Sequence, residues 1–473
     1  MLKLILAANE VFVHGRSMRE EVIIDQVTRF RDPKAIWSKN YGDGKKDEDE
    51  KKWDGYRRLF KAWEGTFPIG MLFDVEMQLL INDIPYEIVD KRIQRVFKKV
   101  RLRYDGYPPL YYFQREALDA ILRNKIGIIS LPTGTGKTRL AQALIGEVRL
   151  PTIFFVTRER LLAQTMKSFE AMFGCKIGQV GRGKMELRPI TVATVQTAHK
   201  MDMDLFSHFG IWCFDEVHHL AADTVFHIAK HSTGEYLIGL SATPTREDGK
   251  EMMLQAGIGR VIYYKSTSQL INETFLAIPE IAAIEVDPIH FDDKHQYEHV
   301  VREAIVHNRQ RNLAIALGAV EDSLTGKVYI HVNRLDHGPI LTKMINNEIL
   351  SGEKDRRAVW LCGKDTVKKK DDVLHNFESG NLKILVSTLL GEGVDIPSMY
   401  SLFMAAGGGK GTKVTTPQIL GRVLRRSKHR VVKFTDIADR CKYLGDHFKE
   451  RCKYYNSEPA FAVDPLIQSM GMG

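Results

Sequence analysis

Residues 126 to 138, IGIISLPTGTGKT, hold the residue types and spacing needed to grip an anion. An apolar run, Ile126 to Leu131, breaks into Pro132, Thr133, Gly134, Thr135 and Gly136; Lys137 and Thr138 follow where a helical pattern begins. Glycines at such a turn let backbone N–H groups face phosphate oxygens, and the helix behind them aims its positive end at the same place. Lys137 adds a point charge beside terminal phosphates, and the Thr138 hydroxyl is placed for Mg²⁺. A bare glycine turn with a surface lysine would need neither the strand before it nor the helix after it. Leu131 stands where the strict pattern has glycine.

Two further groups carry chemistry. Asp215 and Glu216, in IWCFDEVHHL, close an apolar run. Adjacent carboxylates there are costly unless they face a cation. Asp215 suits the Mg²⁺ that bridges phosphates, and Glu216 suits the orientation of an attacking water. In QILGRVLRRS, Gln418 precedes Arg422 and Arg425, which are three apart and predicted to share one helix face. Arginines supplied from a second domain stabilise phosphoryl-transfer charge and are worth roughly 10³–10⁵ in rate. Taken alone, RVLRR also reads as a solvated basic face. With the cradle and the acid pair, the three groups predict a nucleoside triphosphate hydrolase using Mg²⁺.

These side chains need a scaffold. Apolar runs such as IGIISL, PTIFFVT, ITVAT, IWCFDE and YLIGLSAT alternate with helical stretches, which predicts a parallel sheet covered on both faces. Ligands of such sheets sit at the carboxyl ends of strands. Thr133 to Thr138, Thr157, Arg158, Thr194, Asp215, Glu216 and Ser241 to Thr243 all fall there. A second series, KVYIHVN, AVWLCG, KILVSTLL, SLFMAA and VVKFTDI, predicts a second parallel sheet without a cradle of its own. In it, ILVSTLLGEGVDIP puts Ser387 and Thr388 at a strand end, before Gly391, Gly393 and Asp395. Residues 257–287 read as a connecting segment, 295–320 as a helix rich in His and Arg, and 440–455 as a helix packed back on the second sheet.

The first 105 residues read as a small α+β module. LKLILA and EVFVH look like strands, 20–30 has mixed periodicity, and WDGYRRLF with FPIGML reads as a strand pair turning at Asp54-Gly55. The run GKKDEDEKK (44–52) reads as a solvated loop. Between Asp90 and Asp105 lie Lys91, Arg92, Arg95, Lys98, Lys99, Arg101 and Arg103 with no acid among them. Lys98, Lys99 and Arg101 are candidate phosphate contacts of a nucleic acid. The spacing of Ile93, Val96, Phe97 and Val100 equally fits a helix over 88–100 with a solvated basic face.

The bulk numbers agree with a nucleic-acid partner without demanding one. Lys and Arg outnumber Asp and Glu by 68 to 59, a formal charge of +9. Cys175, Cys213, Cys362, Cys441 and Cys452 form no C-x-x-C pair, so neither a zinc site nor a disulfide framework is suggested. No apolar stretch reaches the ~18 residues of a membrane span. The start lacks a convincing cleavage site, and a cytoplasmic protein with no membrane partner is expected.

LPTGTGKT, DEVH (215–218), SAT (241–243) and QILGRVLRR, in this order, resemble the DExH branch of the superfamily 2 helicases and translocases over roughly residues 108 to 440. That family accepts a non-glycine where Leu131 stands. The resemblance implies two tandem RecA-like parallel-sheet domains, 106–280 and 281–473, behind the small N-terminal α+β domain, 1–105. It gives Gln114 an adenine contact and makes His218, Ser241 and Thr243 a relay between nucleotide state and nucleic-acid grip. It makes Arg422 and Arg425 arginine fingers with Gln418 beside them. Asp395 becomes a ribose-side or inter-domain contact, and Thr157, Arg158, Thr194, Gln196 and Thr388 become nucleic-acid contacts. Within the superfamily the chain is most similar to the UvsW-like and XPB-like group, on the Trp53-Asp54-Gly55 segment. The implied partner is duplex or branched DNA, with RNA as an alternative. The implied reaction is ATP-driven unwinding or branch migration, 3′ to 5′, by a monomer or with recombination or replication proteins. A restriction-type translocase and a non-hydrolysing regulator are the other readings; intact Lys137, Asp215, Glu216 and Arg425 speak against the last.

Overall fold

Apolar side chains at every second position bring the first strands together. β1 (Leu2–Ala7) turns Leu2, Leu4 and Leu6 inward, β2 (Glu10–His14) turns Val11 and Val13 inward, and the two pair antiparallel. The computed structural model describes the chain except residues 33–34, 36–52, 93–94, 103–108, 158, 243–249, 293, 352, 354–356, 393–395, 397, 408–411, 426–428 and 471–473. Two compact units result, one of residues 1–131 and 136–264, the other of 132–135 and 265–473. The expected boundaries at 105 and 280 divide the chain differently. The N-terminal sheet shares a unit with the first large sheet, and the second unit opens at Lys265.

Residues 20–30 resolve into a helix, Met18–Thr28, begun by a Ser17–Glu20 capping box. β3 (Arg29–Arg31) pairs with β4 (Tyr56–Arg58), whereas β5 (Thr66–Pro68) pairs with β2 and β6 (Tyr86–Asp90) with β1. The expected pairing of WDGYRRLF with FPIGML is therefore wrong. The Asp54-Gly55 turn faces β3 instead: Gly55 O accepts the Asp32 N–H at 2.8 Å, and Asp54 is bonded to Arg58 and to the Tyr56 N–H.

This small sheet is seated on the rest of its unit. Gly70 lies so close to the helix Glu251–Ile258 that a Cβ there would come within 2.0 Å of the Gln255 carbonyl. Asp74 bonds Gln255, and Ala256 shares one apolar core with Leu4, Val75 and Leu79. Asn9 Nδ2 donates to the carbonyls of Ala229, at 3.3 Å, and Lys230, at 3.0 Å, where the helix Ala222–Ala229 ends.

Among the described residues of 88–100 the expected helix is absent. Residues 88–90 belong to β6, and 95–100 run without regular structure. The Val100 N–H bonds Arg149 O at 2.7 Å, Lys99 Nζ bonds Val148 O at 2.8 Å, and Arg95 bonds Ser207 O at 3.1 Å. Partners in the unit's larger part, which local periodicity cannot report, replace helical bonds.

In the large sheet of the first unit the apolar runs become strands as read. They are β7 (Ile126–Ser130), β8 (Thr152–Val156), β9 (Gly178–Gly181), β10 (Lys184–Glu186), β11 (Ile190–Thr194), β12 (Ile211–Phe214), β13 (Tyr236–Ser241) and β14 (Val261–Tyr264). Among the described residues their order is β10-β9-β11-β8-β12-β13-β7-β14, parallel except for the β9–β10 hairpin at one edge. β8, β11, β12 and β13 are buried along their whole length, as a sheet covered on both faces requires.

The second unit has the order β17-β18-β16-β19-β20-β15-β21 among the described residues. Its strands are β15 (Ile278–Val286), β16 (Val328–His331), β17 (Ala358–Leu361), β18 (Ile384–Ser387), β19 (Ser401–Met404), β20 (Val431–Asp439) and β21 (Ala462–Val463). All its pairings are parallel. Residues 257–287 are not merely a connection, since they supply β14 and β15. The expected His- and Arg-rich helix is interrupted: Tyr297–Val301 continues as a π-helical turn to Val306, then stops before Arg309–Asp322, which Asn308 caps. The tail helix Leu444–Ser457 buries Leu444, Phe448, Cys452 and Tyr455, and the Tyr455 hydroxyl bonds Asp436 of β20 at 2.8 Å.

Two fully buried arginines tie this sheet to its neighbours. Arg311 pairs with Asp439 and donates to Ala405 O; Arg451 pairs with Asp436 and donates to Gly407 O. Each guanidinium thus satisfies a buried carboxylate and a carbonyl in the turn after β19, which is what allows charge inside a core.

Candidate active site

β7 ends at Ser130, and the Leu131 N–H bonds Ser241 O at 3.0 Å, so the cradle begins in register with the end of β13. Gly134 (φ +85°) and Gly136 (φ +81°) both take the left-handed conformation that folds the loop back on itself. Inside the loop the Thr135 hydroxyl donates to Pro132 O at 2.7 Å. Gly136 caps the helix Lys137–Val148, and a Cβ there would lie 2.7 Å from Gln114 Nε2. Gln114 is itself buried and accepts from the Tyr111 N–H at the start of the helix Tyr112–Asn124. The residue read as an adenine contact therefore sits against the cradle, with an amide close to its last glycine.

Lys137 is buried, with Nζ 3.2 Å from Leu131 O and 3.4 Å from Glu216 Oε1. Glu216 follows β12 and Asp215 with φ +46° and ψ 49°, a left-handed conformation uncommon for a side chain of its kind. That turn brings its carboxylate to Lys137 on one side and within 3.6 Å of His218 Nδ1 on the other. His218 is buried, and its Nδ1 lies 2.9 Å from Ser241 Oγ. Lys137, Glu216, His218 and Ser241 thus form an unbroken chain of contacts across the carboxyl ends of β7, β12 and β13.

Burial and the charge of Glu216 push the Asp215 carboxyl up to about 7, with Lys137 pulling the other way. Because this lies above the ordinary carboxylate value, the site's contribution to the free protein's stability is complete below about pH 4. It is lost as pH rises towards about 7. Asp215→Asn cannot ionise. It is expected to be more stable than the parent by a few kcal/mol (about 4 at most) at pH 8, and equal to it near pH 4. Urea unfolding of the nucleotide-free protein at both pH values measures this, and equal stability at pH 8 would sink it.

The residues read as nucleic-acid contacts fall into separate groups. Thr157 and Gln196 meet at the carboxyl ends of β8 and β11, where Gln196 Nε2 donates to Thr157 O at 2.9 Å. Beside them the Thr194 hydroxyl bonds Thr197, a neighbour that the sequence did not single out, at 2.8 Å. Lys98, Lys99 and Arg101 are not with them. They line a cavity whose other walls are Pro151, Pro189, Ser207 and their neighbours, at the amino ends of the same strands. Five residues of strand separate the two ends by roughly 16 Å.

In the second unit Thr388 is buried directly after β18, where the Leu389 N–H bonds Ser387 Oγ and the Leu390 N–H bonds the Tyr329 hydroxyl. Gln418 and Arg422 lie in the helix Thr412–Val423. Arg425 follows its last turn and reaches Ile396 O with Nη1 at 3.3 Å. Arg158, Thr243 and Asp395 lie outside the described residues, as does the 44–52 loop. Arg311 and Arg451 escaped the sequence reading altogether, because in HNRQRN and FKERCKYY they look like solvated cations.

Residues 108–246 match the family described as the type III restriction enzyme res subunit. The chain is 27% identical to the DNA 3′-5′ translocase XPB2 of Sulfurisphaera tokodaii over 424 residues, covering 83% of this chain and 92% of that protein. It is 25% identical to the DNA 3′-5′ helicase XPB of Kineococcus radiotolerans over 369 residues, covering 72% of this chain and 61% of that protein. Dbp5 of S. cerevisiae, solved bound to RNA and ADP BeF3, shares the fold at 15% identity and a TM-score of 0.51, over 76% of this chain and 93% of that one. Among the described residues, no helix is long and apolar enough to cross a membrane. With parallel sheets carrying the ordered motifs and with relatives of these kinds, the chain is similar to the superfamily 2 helicases and translocases, and it is an ATP hydrolase coupled to the unwinding of nucleic acid.

Proposed function

We propose that the chain is an ATP-driven DNA helicase or translocase that acts 3′ to 5′ on branched DNA, such as forks, junctions and displacement loops. The observation that carries the reading is the contact chain Lys137–Glu216–His218–Ser241. It ties a change at the terminal phosphate to the carboxyl ends of β12 and β13, and β12 pairs with β8, the strand that Thr157 follows. DNA as the partner is supported by the names of the two XPB relatives, and branched DNA by the small N-terminal sheet packed within the first unit against the helix Glu251–Ile258. In this reading residues 1–105 read the substrate, 106–280 hold ATP and 281–473 complete the motor.

Pro132 to Gly136 cradle the phosphates, Gln114 holds the adenine and Glu216 orients the water. Arg422 and Arg425 steady the transition-state charge, with Gln418 and Asp395 on the nucleotide. Thr157, Arg158, Thr194, Gln196 and Thr388 hold the strand, while His218, Ser241 and Thr243 couple the two events. Thr138 and Asp215 fit Mg²⁺, a hard cation that takes a hydroxyl and one or two carboxylates beside phosphate oxygens. The carboxyl of Asp215, held high by burial and by Glu216, fits a site meant to face a cation. Bound there, Mg²⁺ would neutralise phosphate charge.

An ATPase and unwinding panel on forks, four-way junctions, plain duplexes and RNA duplexes tests the proposal. Branched DNA is expected to stimulate turnover most and to be the substrate unwound. Equal or greater stimulation by RNA would overturn the choice of DNA, and equal activity on plain duplexes would overturn the choice of branched DNA.

A further inference from the structure

The amino ends of β8, β11 and β12 border a cavity of about 1240 Å³, open to solvent and remote from the cradle. One wall is residues 95–101, and it is built in place. Three hydrogen bonds, from Arg95 to Ser207 O, Lys99 to Val148 O and Val100 N–H to Arg149 O, pin it to the loops before these strands. Phe97 lies over Gly210, where a Cβ would come within 3.1 Å of its ring, so the segment is anchored on a site that only glycine leaves open.

The lining has two chemistries. Arg95, Lys98, Lys99 and Arg101 bring positive charge, and among the described residues no acidic side chain lines the cavity. Among the described residues neither Lys98 nor Arg101 has a carboxylate partner, whereas Arg188, also in the lining, is neutralised by Glu186. Between these cations lie Pro151, Leu187 and Pro189, and Val96 stands at the rim 98% exposed. An exposed apolar side chain beside unpaired cations costs solvation unless something covers it.

We propose that this cavity docks an acidic peptide segment of a partner protein, with carboxylates on Lys98 and Arg101 and an apolar side chain against Val96 and Leu187. Charge complementarity sets the sign of the partner, and the apolar walls set its class. A duplex presents phosphates along a convex rod and has no side chain to place among proline and leucine, whereas a peptide carries both groups at neighbouring positions. The placement agrees, because the candidate strand contacts Thr157, Thr194 and Gln196 lie at the opposite ends of these strands. A partner could sit here while nucleic acid occupies the other end.

The test uses the full chain and fluorescence anisotropy of a short labelled peptide of aspartates with two phenylalanines. Binding is expected, with affinity lowered about tenfold or more by K98E together with R101E. It should fall several-fold with Val96→Asp, a change at a side chain so exposed that folding is not at risk. Lys449→Glu, an exposed change on the other unit, should leave it untouched. Circular dichroism melting checks that every variant folds. Peptide affinity indifferent to K98E/R101E would overturn the site, as would an all-aspartate peptide binding equally well and Val96→Asp having no effect. A loss of duplex DNA affinity in K98E/R101E, with no peptide bound by the parent, would overturn it in favour of a phosphate-backbone contact.

Discussion

Lys137→Ala is expected to lower ATP turnover by about 10³-fold, the loss typical of removing one preorganised charge from a reacting phosphate. Two observations argue for an effect this large. Lys137 is buried rather than waving in solvent, so its charge acts at low local dielectric. It is also the cation that lies against Glu216 and that draws the Asp215 carboxyl back towards ionisation. Removing it strips charge from the phosphates and leaves two adjacent carboxylates without their lysine, which raises Asp215 further. Steady-state ATPase at saturating DNA, with fluorescent-nucleotide binding measured alongside, reads both consequences. Turnover within about tenfold of the parent would show that Lys137 does not carry the chemistry.

Glu216→Gln should separate binding from hydrolysis. Glutamine keeps the size and the hydrogen-bonding reach of the side chain, but it cannot take a proton from water. Turnover is expected to fall by about 10²–10⁴-fold, the range for losing a general base, while ATP affinity is retained. The variant also removes the second-largest cause of the high Asp215 value, so the acid limb of Mg²⁺-ATP binding should move to lower pH. Nucleotide affinity measured across pH 5 to 8 checks that shift. A variant that hydrolyses normally, or whose acid limb stays put, would contradict the roles given to both carboxylates.

Much of the site was readable before any fold was known. The cradle, the acid pair and the strand ends that carry them appear where alternation of apolar and helical runs put them. A fully buried parallel strand has to be a continuous apolar run, and its ligand end has to be where that run stops. The contact of His218 with Ser241 came from family likeness and not from residue chemistry, since nothing in Ser-Ala-Thr alone announces a partner in DEVH. The left-handed turn at Glu216, which aims its carboxylate, left no mark in the sequence.

The errors have a common cause. Ile93, Val96, Phe97 and Val100 do recur at helical spacing, yet residues 95–100 run without regular structure, where Gly210 and the Arg149 carbonyl give them partners. WDGYRRLF contains a strand, but strand identity does not choose a partner, and the Gly55 carbonyl chose β3. Arg311 and Arg451 read as surface charge because their carboxylates, Asp439 and Asp436, are distant in sequence.

By itself, then, the sequence determined the local chemistry: which residues can hold phosphate, which strands are buried, and the order in which the motifs arrive. These depend on side-chain type and on short-range periodicity, which neighbouring residues settle among themselves. Tertiary structure alone decided which cations are buried and paired, and which lie at the cradle end of the sheet. It also decided that the basic run 95–101 walls a cavity at the other end. Those outcomes depend on distant groups meeting in space, where desolvation and the available partners, rather than residue type, set the energy.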